Sequence, residues 1–318
     1  MVKKKAPRNR TIILTNDEKV YYSGKILKAD SLAGYMDLDN IINGDIYNCY
    51  RFIPPKSVDL LFLDPPYNLS KQFHNNNFNK TTEEKYTGWF GSWFKLLLPS
   101  LKDTASVYVC GDWRTSISIY QVIKDSLIVR NRITWEREKG RGAKTNFKNS
   151  HEDIWFATRS EKYTFNLDAV KLKRKVVAPY KENGKPKDWE ESNNGNYRLT
   201  HPGNFWNDIS IPFWSMPENT EHPTQKPEKL IAKLILASTN ENDIVFDPFL
   251  GSGTTAVVAK KLKRHFYAVE LAEEYIMLSL KRLDLALKDS SIQGYENGVF
   301  WERNTFTERR KNKNNNGK

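Results

Sequence analysis

The sequence predicts an α/β fold: a mostly parallel sheet covered by helices on both faces. Three observations predict it. Apolar runs of strand length alternate with amphipathic runs of helix length from residue 41 to residue 288. Several of the short runs, such as "SVDLLFLD" (57–64), are continuously apolar, as strands buried on both faces must be. These runs also end in turn residues, Gly-Asp or Asp-Pro, at the carboxyl ends of strands, where open α/β sheets bind ligands.

The elements follow in order. Residues 1–40 read as an N-terminal arm, in which "TNDEKVYYSGKILK" carries a helix-start signal. A first half of the domain spans 41–160. It begins with "NIINGD", ending at Gly44-Asp45, and continues through the 57–64 strand. "EKYTGWFGSWFKLLLPSL" (84–101) has helical spacing and stops near Pro99, whose missing N–H cannot extend a helix. "ASVYVCGD" (105–112), "RNRITWER" and "DIWFATR" read as further strands. Periodicity then fails. Residues 161–220, rich in Lys, Asn, Gly, Pro and Trp, are too long for an ordinary connection and read as an irregular functional insertion. A second half, 221–288, restores the pattern: the helix stripe Leu230, Ile231, Leu234, Ile235, then strand, glycine turn and helix in "DIVFDPFLGSGTTAVVAKKL", the strand "HFYAVEL" and a last helix from 273. Residues 289–318 read as a basic, mobile tail.

The 318 residues carry a net charge of +12, and the excess is localised. Residues 130–175 hold thirteen Lys/Arg against six Asp/Glu, and each terminus adds +5, so the remainder is net acidic. At the termini such charge is ordinary solvation. Inside the fold it fits a polyanion, most simply nucleic acid. Two cysteines without CxxC spacing exclude a cysteine-based zinc cluster and fit a reducing compartment. No run is long and apolar enough for a transmembrane helix, and no secretory signal opens the chain, so a cytoplasmic, DNA-associated location is expected.

"VFDPFLGSGTT" (245–255) is the first stretch with chemistry in it. Gly251 and Gly253 let backbone pass close to a ligand, and a helix begins near Thr254. Glu270 ends the next strand, where a carboxylate can grip a ribose. The turn lacks the third glycine of a dinucleotide fingerprint, and Asp247 would repel a pyrophosphate but pair with an ammonium. S-adenosylmethionine combines adenosine, sulfonium and an amino-acid ammonium, so it is the expected cofactor. The alternative reading, a turn that only reverses the chain, weakens because Asp247 and Glu270 occur together.

The second is "LDPPYN" (63–68). An exocyclic base amine is a poor nucleophile, because its lone pair is conjugated into the ring. Two fixed acceptors can free that lone pair: the Asp64 carboxylate and the Pro65 carbonyl. Pro65 and Pro66 stiffen the backbone that carries it. Tyr67 offers a stacking face, and a base must be flipped out of a duplex to reach it. Taken alone, Asp-Pro is also an ordinary turn dipeptide.

Together these stretches resemble the β group of bacterial amino-directed DNA methyltransferases, in which the DPPY half precedes a target-recognition region and the cofactor half comes last. The resemblance covers roughly residues 40–288. It implies a Rossmann-like S-adenosylmethionine-dependent fold with a seven-stranded sheet, and methyl transfer to adenine N6 in double-stranded DNA within a restriction–modification system. N4-cytosine is the alternative, an RNA or a protein glutamine a more distant one. By the same resemblance Asp45 in "NGD" meets the cofactor adenine, and Phe249 belongs to the cofactor turn. "HPTQKP" (222–227), with His222, Thr224 and Lys226, lines its methionine end. "NSHEDIWFATR" (149–159) resembles the strand before the recognition region. DNA contacts are expected from Arg141, Lys144, Lys171, Lys173, Arg174, Lys175 and Arg198. A homodimer and a cognate restriction endonuclease are further partners, both left open.

Some residues have plainer readings. His222 orders a loop, because a neutral amine needs no base before transfer. His151-Glu152 lacks a third ligand for a metal. Trp89, Trp93, Trp113, Trp135 and Trp155 read as core, whereas Trp189, Trp206 and Trp214 stand equally for DNA contact or for local packing. A nicotinamide-dependent dehydrogenase conflicts with Asp247 and the missing glycine. A non-catalytic DNA binder leaves Asp64 and Glu270 without a task.

Overall fold

The computed structural model describes residues 6–69, 71–73, 76–137, 145–176, 180–192 and 195–303. Its centre is a nine-stranded sheet. In spatial order the strands are Leu27–Lys28, Asn40–Asn43, His265–Glu270, Ile244–Asp247, Val58–Leu63, Leu101–Gly111, His151–Thr158, Ile128–Glu136 and Phe205–Trp206. All neighbours are parallel except His151–Thr158, which runs antiparallel to both its partners. The two outermost strands are two residues long, so seven strands form the body of the sheet.

Alternation inside one central strand explains the layers. Leu60 and Phe62 join the apolar cluster on one face, with Leu230, Ile231 and Leu234 of the Glu228–Ser238 helix and Ala256 and Val258 of the Thr254–Lys261 helix. Leu61 and Leu63 face the other way, onto Phe90, Trp93 and Phe94 of the Glu83–Leu97 helix and Ile119 of the Thr115–Ile123 helix. A strand buried on both sides has to be continuously apolar, and this one is. The Glu83–Leu97 helix starts where the Thr82 hydroxyl accepts from the Lys85 N–H, and ends in a 3₁₀ turn containing Pro99.

Three segments differ from expectation. The 161–220 insertion is not wholly irregular: Leu172–Lys175, Glu190–Ser192 and Gly195–Thr200 form a second, mostly antiparallel sheet. The tail is not mobile from residue 289. Tyr295–Glu296 and Val299–Trp301 complete that second sheet, and Phe300 is fully buried in the main core. A short pattern rich in glycine and polar residues hid these strands, because their pairing partner is about 130 residues away in sequence. Residues 304–318 lie outside the described residues. The arm, finally, is packed against the body. Thr15 and Glu18 form a reciprocal cap on the Asn16–Ser23 helix. Tyr22 Oη donates to Asp284 and Lys281 Nζ to Glu18, tying it to the Glu273–Lys288 helix. Among the described residues no helix is long and apolar enough to cross a membrane.

Candidate active site

Parallel strands end on one side of a sheet, so residues just past their ends converge. Here five neighbouring strands each deliver a carboxylate there: Asp45, Glu270, Asp247, Asp64 and Asp112, in spatial order. All five line one cavity of about 360 Å³.

The cofactor-side residues group at one part of this cavity. Asp45 caps the short Ile46–Cys49 helix by accepting from the Tyr47 N–H at 2.9 Å. Both Glu270 oxygens accept backbone N–H groups, from Gly251 at 2.7 Å and Ala272 at 2.8 Å, which fixes the carboxylate on the cavity wall. Asp247 Oδ1 accepts from the Phe249 N–H at 2.9 Å. Burial pushes the Asp247 carboxyl up to about 7, with the Asp64 and Glu270 charges acting in the same direction. Phe249, edge-on to Trp93 at 4.9 Å, Thr254, His222 and Thr224 complete this wall. His222 Nδ1 accepts from the Thr224 N–H, and its ring stands edge-on to Tyr275.

The two glycines do different work. Gly251 has φ +55° and lines the cavity, where a Cβ would come within 3.0 Å of His222 Nε2. Gly253 has φ +85° and does not line it: a Cβ there would lie 2.6 Å from the Ser279 side chain. Its role is to let two helices approach, not to admit a ligand as the sequence suggested.

Asp64, Pro65, Pro66 and Tyr67 form the other part. Tyr86 Oη donates to the Pro66 carbonyl at 2.9 Å and holds the turn, while among the described residues no donor reaches the Pro65 carbonyl. Tyr67 Oη donates to Asp64 Oδ1 at 3.0 Å, and burial pushes its phenol up, with Asp64 adding to the shift. Lys226 is the surprise. Its ammonium does not face the wall formed by His222 and Thr224. It donates to Asp64 Oδ2 at 2.6 Å and lies 3.4 Å from Glu152 Oε2. Burial would pull its pKa down, but the Asp64 and Glu152 charges outweigh burial and raise it. Arg137 pairs with Glu152 Oε1. Asp112 and Arg137 were not singled out in the sequence, and Glu152 only as half of a dismissed metal pair with His151. Asp112 had the signal, a Gly-Asp strand end; nothing local shows that Glu152 meets Lys226, which is distant in the chain, or that Arg137 meets Glu152.

The expected DNA-binding side chains that the structure describes group on two paired strands of the second sheet. Lys171, Lys173, Arg174 and Lys175 lie on or beside one strand of the second sheet, and Arg198 on its neighbour. Lys171 pairs with Asp168, Arg174 with Glu302 and Arg198 with Asp188. Arg141 and Lys144 lie outside the described residues. Trp189 and Trp206 are buried and hydrogen-bonded to backbone carbonyls, so they pack; Trp214 is exposed. Trp93 and Trp135 are core, as expected, but Trp113 is exposed. No cluster of metal-ligating side chains occurs among the described residues.

The cavity suits a cationic nucleoside. Six carboxylates line it, Glu152 included, against Lys226 and Arg137. Strand order, glycine turn and acid row define a methyltransferase of the open α/β class. The sequence matches the family described as DNA methylase over residues 58–281, and the chain belongs to that family. Type II methyltransferase M.BglII of Bacillus subtilis is 33% identical over 260 residues, covering 77% of this chain and 69% of the relative. DNA adenine methyltransferase YhdJ of Escherichia coli strain K12 is 35% identical over 253 residues, covering 77% and 83%. Among solved structures, the M1.HpyAVI–SAM complex has a TM-score of 0.54 at 24% identity, over 77% of this chain and 98% of that one.

Proposed function

We propose that this DNA methyltransferase moves a methyl group from S-adenosylmethionine to the N6 amine of an adenine flipped out of duplex DNA. The observation that carries the reading is the placement of Asp64 and the Pro65 carbonyl at one strand end, in the same cavity as Asp247 and Glu270. The cofactor, when bound, supplies an electrophilic methyl on its sulfonium. Glu270 is suited to its ribose hydroxyls and Asp247 to its ammonium. Asp64 and the Pro65 carbonyl then accept from the two N–H groups of the target amine and aim its lone pair; Tyr67 stacks on the ring. The amine nitrogen becomes cationic as the new bond forms and sheds one proton, and Asp64 is the nearest carboxylate to that charge.

The hydrogen bonds would serve N4 of cytosine equally. Adenine is preferred because the acceptor before the prolines is Asp, a purine stacks more area on Tyr67, and the relative YhdJ is named as an adenine enzyme. The same proposal includes a cognate restriction endonuclease and a cytoplasmic, DNA-associated location, in keeping with the Type II methyltransferases M.BglII and M.HpaI among the relatives. Site choice falls to the part of the second sheet that the 161–220 insertion supplies. The test is to digest DNA methylated by the purified protein to nucleosides and separate them with mass detection. N6-methyl-2′-deoxyadenosine is expected; methylated 2′-deoxycytidine without it would move the assignment to N4.

A further inference from the structure

Asp64 is meant to receive an amine, yet in this structure its two oxygens already hold partners: Tyr67 Oη and the Lys226 ammonium. Lys226 Nζ, 2.6 Å from Oδ2, stands where a target amine nitrogen would have to stand. A cation left there would also oppose the reaction, since the attacked nitrogen gains positive charge. The ammonium therefore needs somewhere to go. Glu152 offers it: Oε2 is 3.4 Å from Nζ, and among the described residues nothing else hydrogen-bonds it. The Glu152 side chain is only 4% exposed, and its other oxygen is fixed by Arg137. A buried carboxylate oxygen left without a hydrogen bond is costly unless a donor reaches it at some stage.

Resting on the proposed base-amine chemistry, we propose that Glu152 is a positioning residue. It draws the Lys226 ammonium off Asp64 when the target base arrives, and Lys226 guards Asp64 when the site holds no base. The move is a shift of one hydrogen bond between two carboxylates. No bond is broken and no proton leaves the ammonium. Tyr67 Oη, 3.4 Å from Nζ, lies beside the path and keeps Oδ1 in place throughout.

The experiment uses the full chain, methyl-tritiated S-adenosylmethionine and genomic DNA from a host that does not methylate its own. Glu152→Gln should lower the single-turnover transfer rate by about tenfold or more, with cofactor affinity by calorimetry within about twofold of wild type. Adding Lys226→Met should recover about threefold or more of the loss, because the stranded ammonium is gone. A residue that merely supported the fold would give additive losses. Wild-type rate in Glu152→Gln, or no recovery in the double variant, overturns the proposal. If Glu152→Gln does not fold, Glu152→Asp retracts the same carboxylate and should show a smaller loss, again relieved by Lys226→Met; no loss overturns it. A readout free of DNA is the ε-ammonium resonance of Lys226 in protein labelled with ¹⁵N-lysine. It should shift in Glu152→Gln as well as in Asp64→Asn, and indifference to Glu152→Gln overturns the proposal. If wild-type protein labels no DNA, the substrate reading fails instead, and the resonance still decides the ion pair.

Discussion

Lys226 Nζ lies 2.6 Å from Asp64 Oδ2, joining the segment before the Glu228–Ser238 helix to the end of the Val58–Leu63 strand. The pair is 162 residues apart in sequence and largely buried, with side chains 7% and 18% exposed. It joins distant parts of the chain at the point where the proposed methyl transfer takes place. Removing one partner of a buried pair strands the other charge, so substitutions at Asp64 act on stability as well as on rate.

That dual effect shapes the first prediction. Asp64→Ala is expected to lose roughly 10²-fold or more in transfer rate. It should also lower stability by about 1–3 kcal/mol, because the counter-charge left to Lys226 is Glu152, which Arg137 shares. Asp64→Asn keeps the shape and should show the rate loss with a smaller fall in melting temperature. Cofactor affinity should survive in both, because Asp247 and Glu270 are untouched. Transfer near the wild-type rate in folded Asp64→Asn would remove Asp64 from the chemistry.

The two glycines of the turn should fail differently. Gly253→Ala puts a Cβ 2.6 Å from Ser279 at φ +85°, so the loss is of fold, about 1–3 kcal/mol from backbone strain plus the overlap. Gly251→Val fills cavity space beside His222 and should weaken S-adenosylmethionine more than it lowers the melting temperature. Calorimetry and thermal unfolding on both variants separate the two. Equal effects on affinity per degree of melting would mean that the glycines share one role.

Sequence legibility follows from range. The central strands and helices were readable because their signals are local: apolar runs, helical spacing over 84–101, Pro99 as a stop. Asp64, Asp247 and Glu270 were readable because a parallel sheet turns strand ends into a single surface. The partner of Lys226 was not, since "HPTQKP" gives no hint that its lysine reaches back across the domain. Nor was Gly253, whose constraint is Ser279 on another helix. The second sheet was missed because its strands are short and its central one, Leu172–Lys175, pairs with residues beyond 290. Each omission is a contact between distant segments.

The second sheet carries the next prediction. If it meets DNA through phosphates, binding weakens steeply with salt, with a log–log slope of about −0.9 per neutralised phosphate. Replacing Lys171, Lys173, Arg174 and Lys175 with glutamine should flatten that slope. The change should fall short of four contacts, because Lys171 and Arg174 already hold Asp168 and Glu302. Fluorescence anisotropy on a labelled duplex at several salt concentrations measures it. An unchanged slope would place the DNA surface elsewhere on the protein.

Asp247 should make cofactor affinity depend on pH near neutrality. Burial raises its carboxyl to about 7, well above the usual carboxylate range. Below that pH the group is neutral and offers a ligand ammonium only a neutral hydrogen-bonding partner; above it the carboxylate can pair with the charge. Affinity for S-adenosylmethionine should therefore rise from pH 6 towards about 7.5, and level off where an α-amino group itself begins to deprotonate, at about 7.7–8.0. Stability of the free protein runs the other way through the same group. Its proton is lost near pH 4 when unfolded but only near 7 when folded, so this contribution favours the folded state at low pH and fades as pH rises between those values. Asp247→Asn should flatten both dependences, and the difference between variant and wild type isolates the group from Glu218, which burial also raises, to about 8. Calorimetric titration and thermal unfolding across pH 5–8.5 supply both curves. A wild-type affinity that is flat across neutrality, with Asp247→Asn binding equally well, would show that the cofactor ammonium does not pair with Asp247.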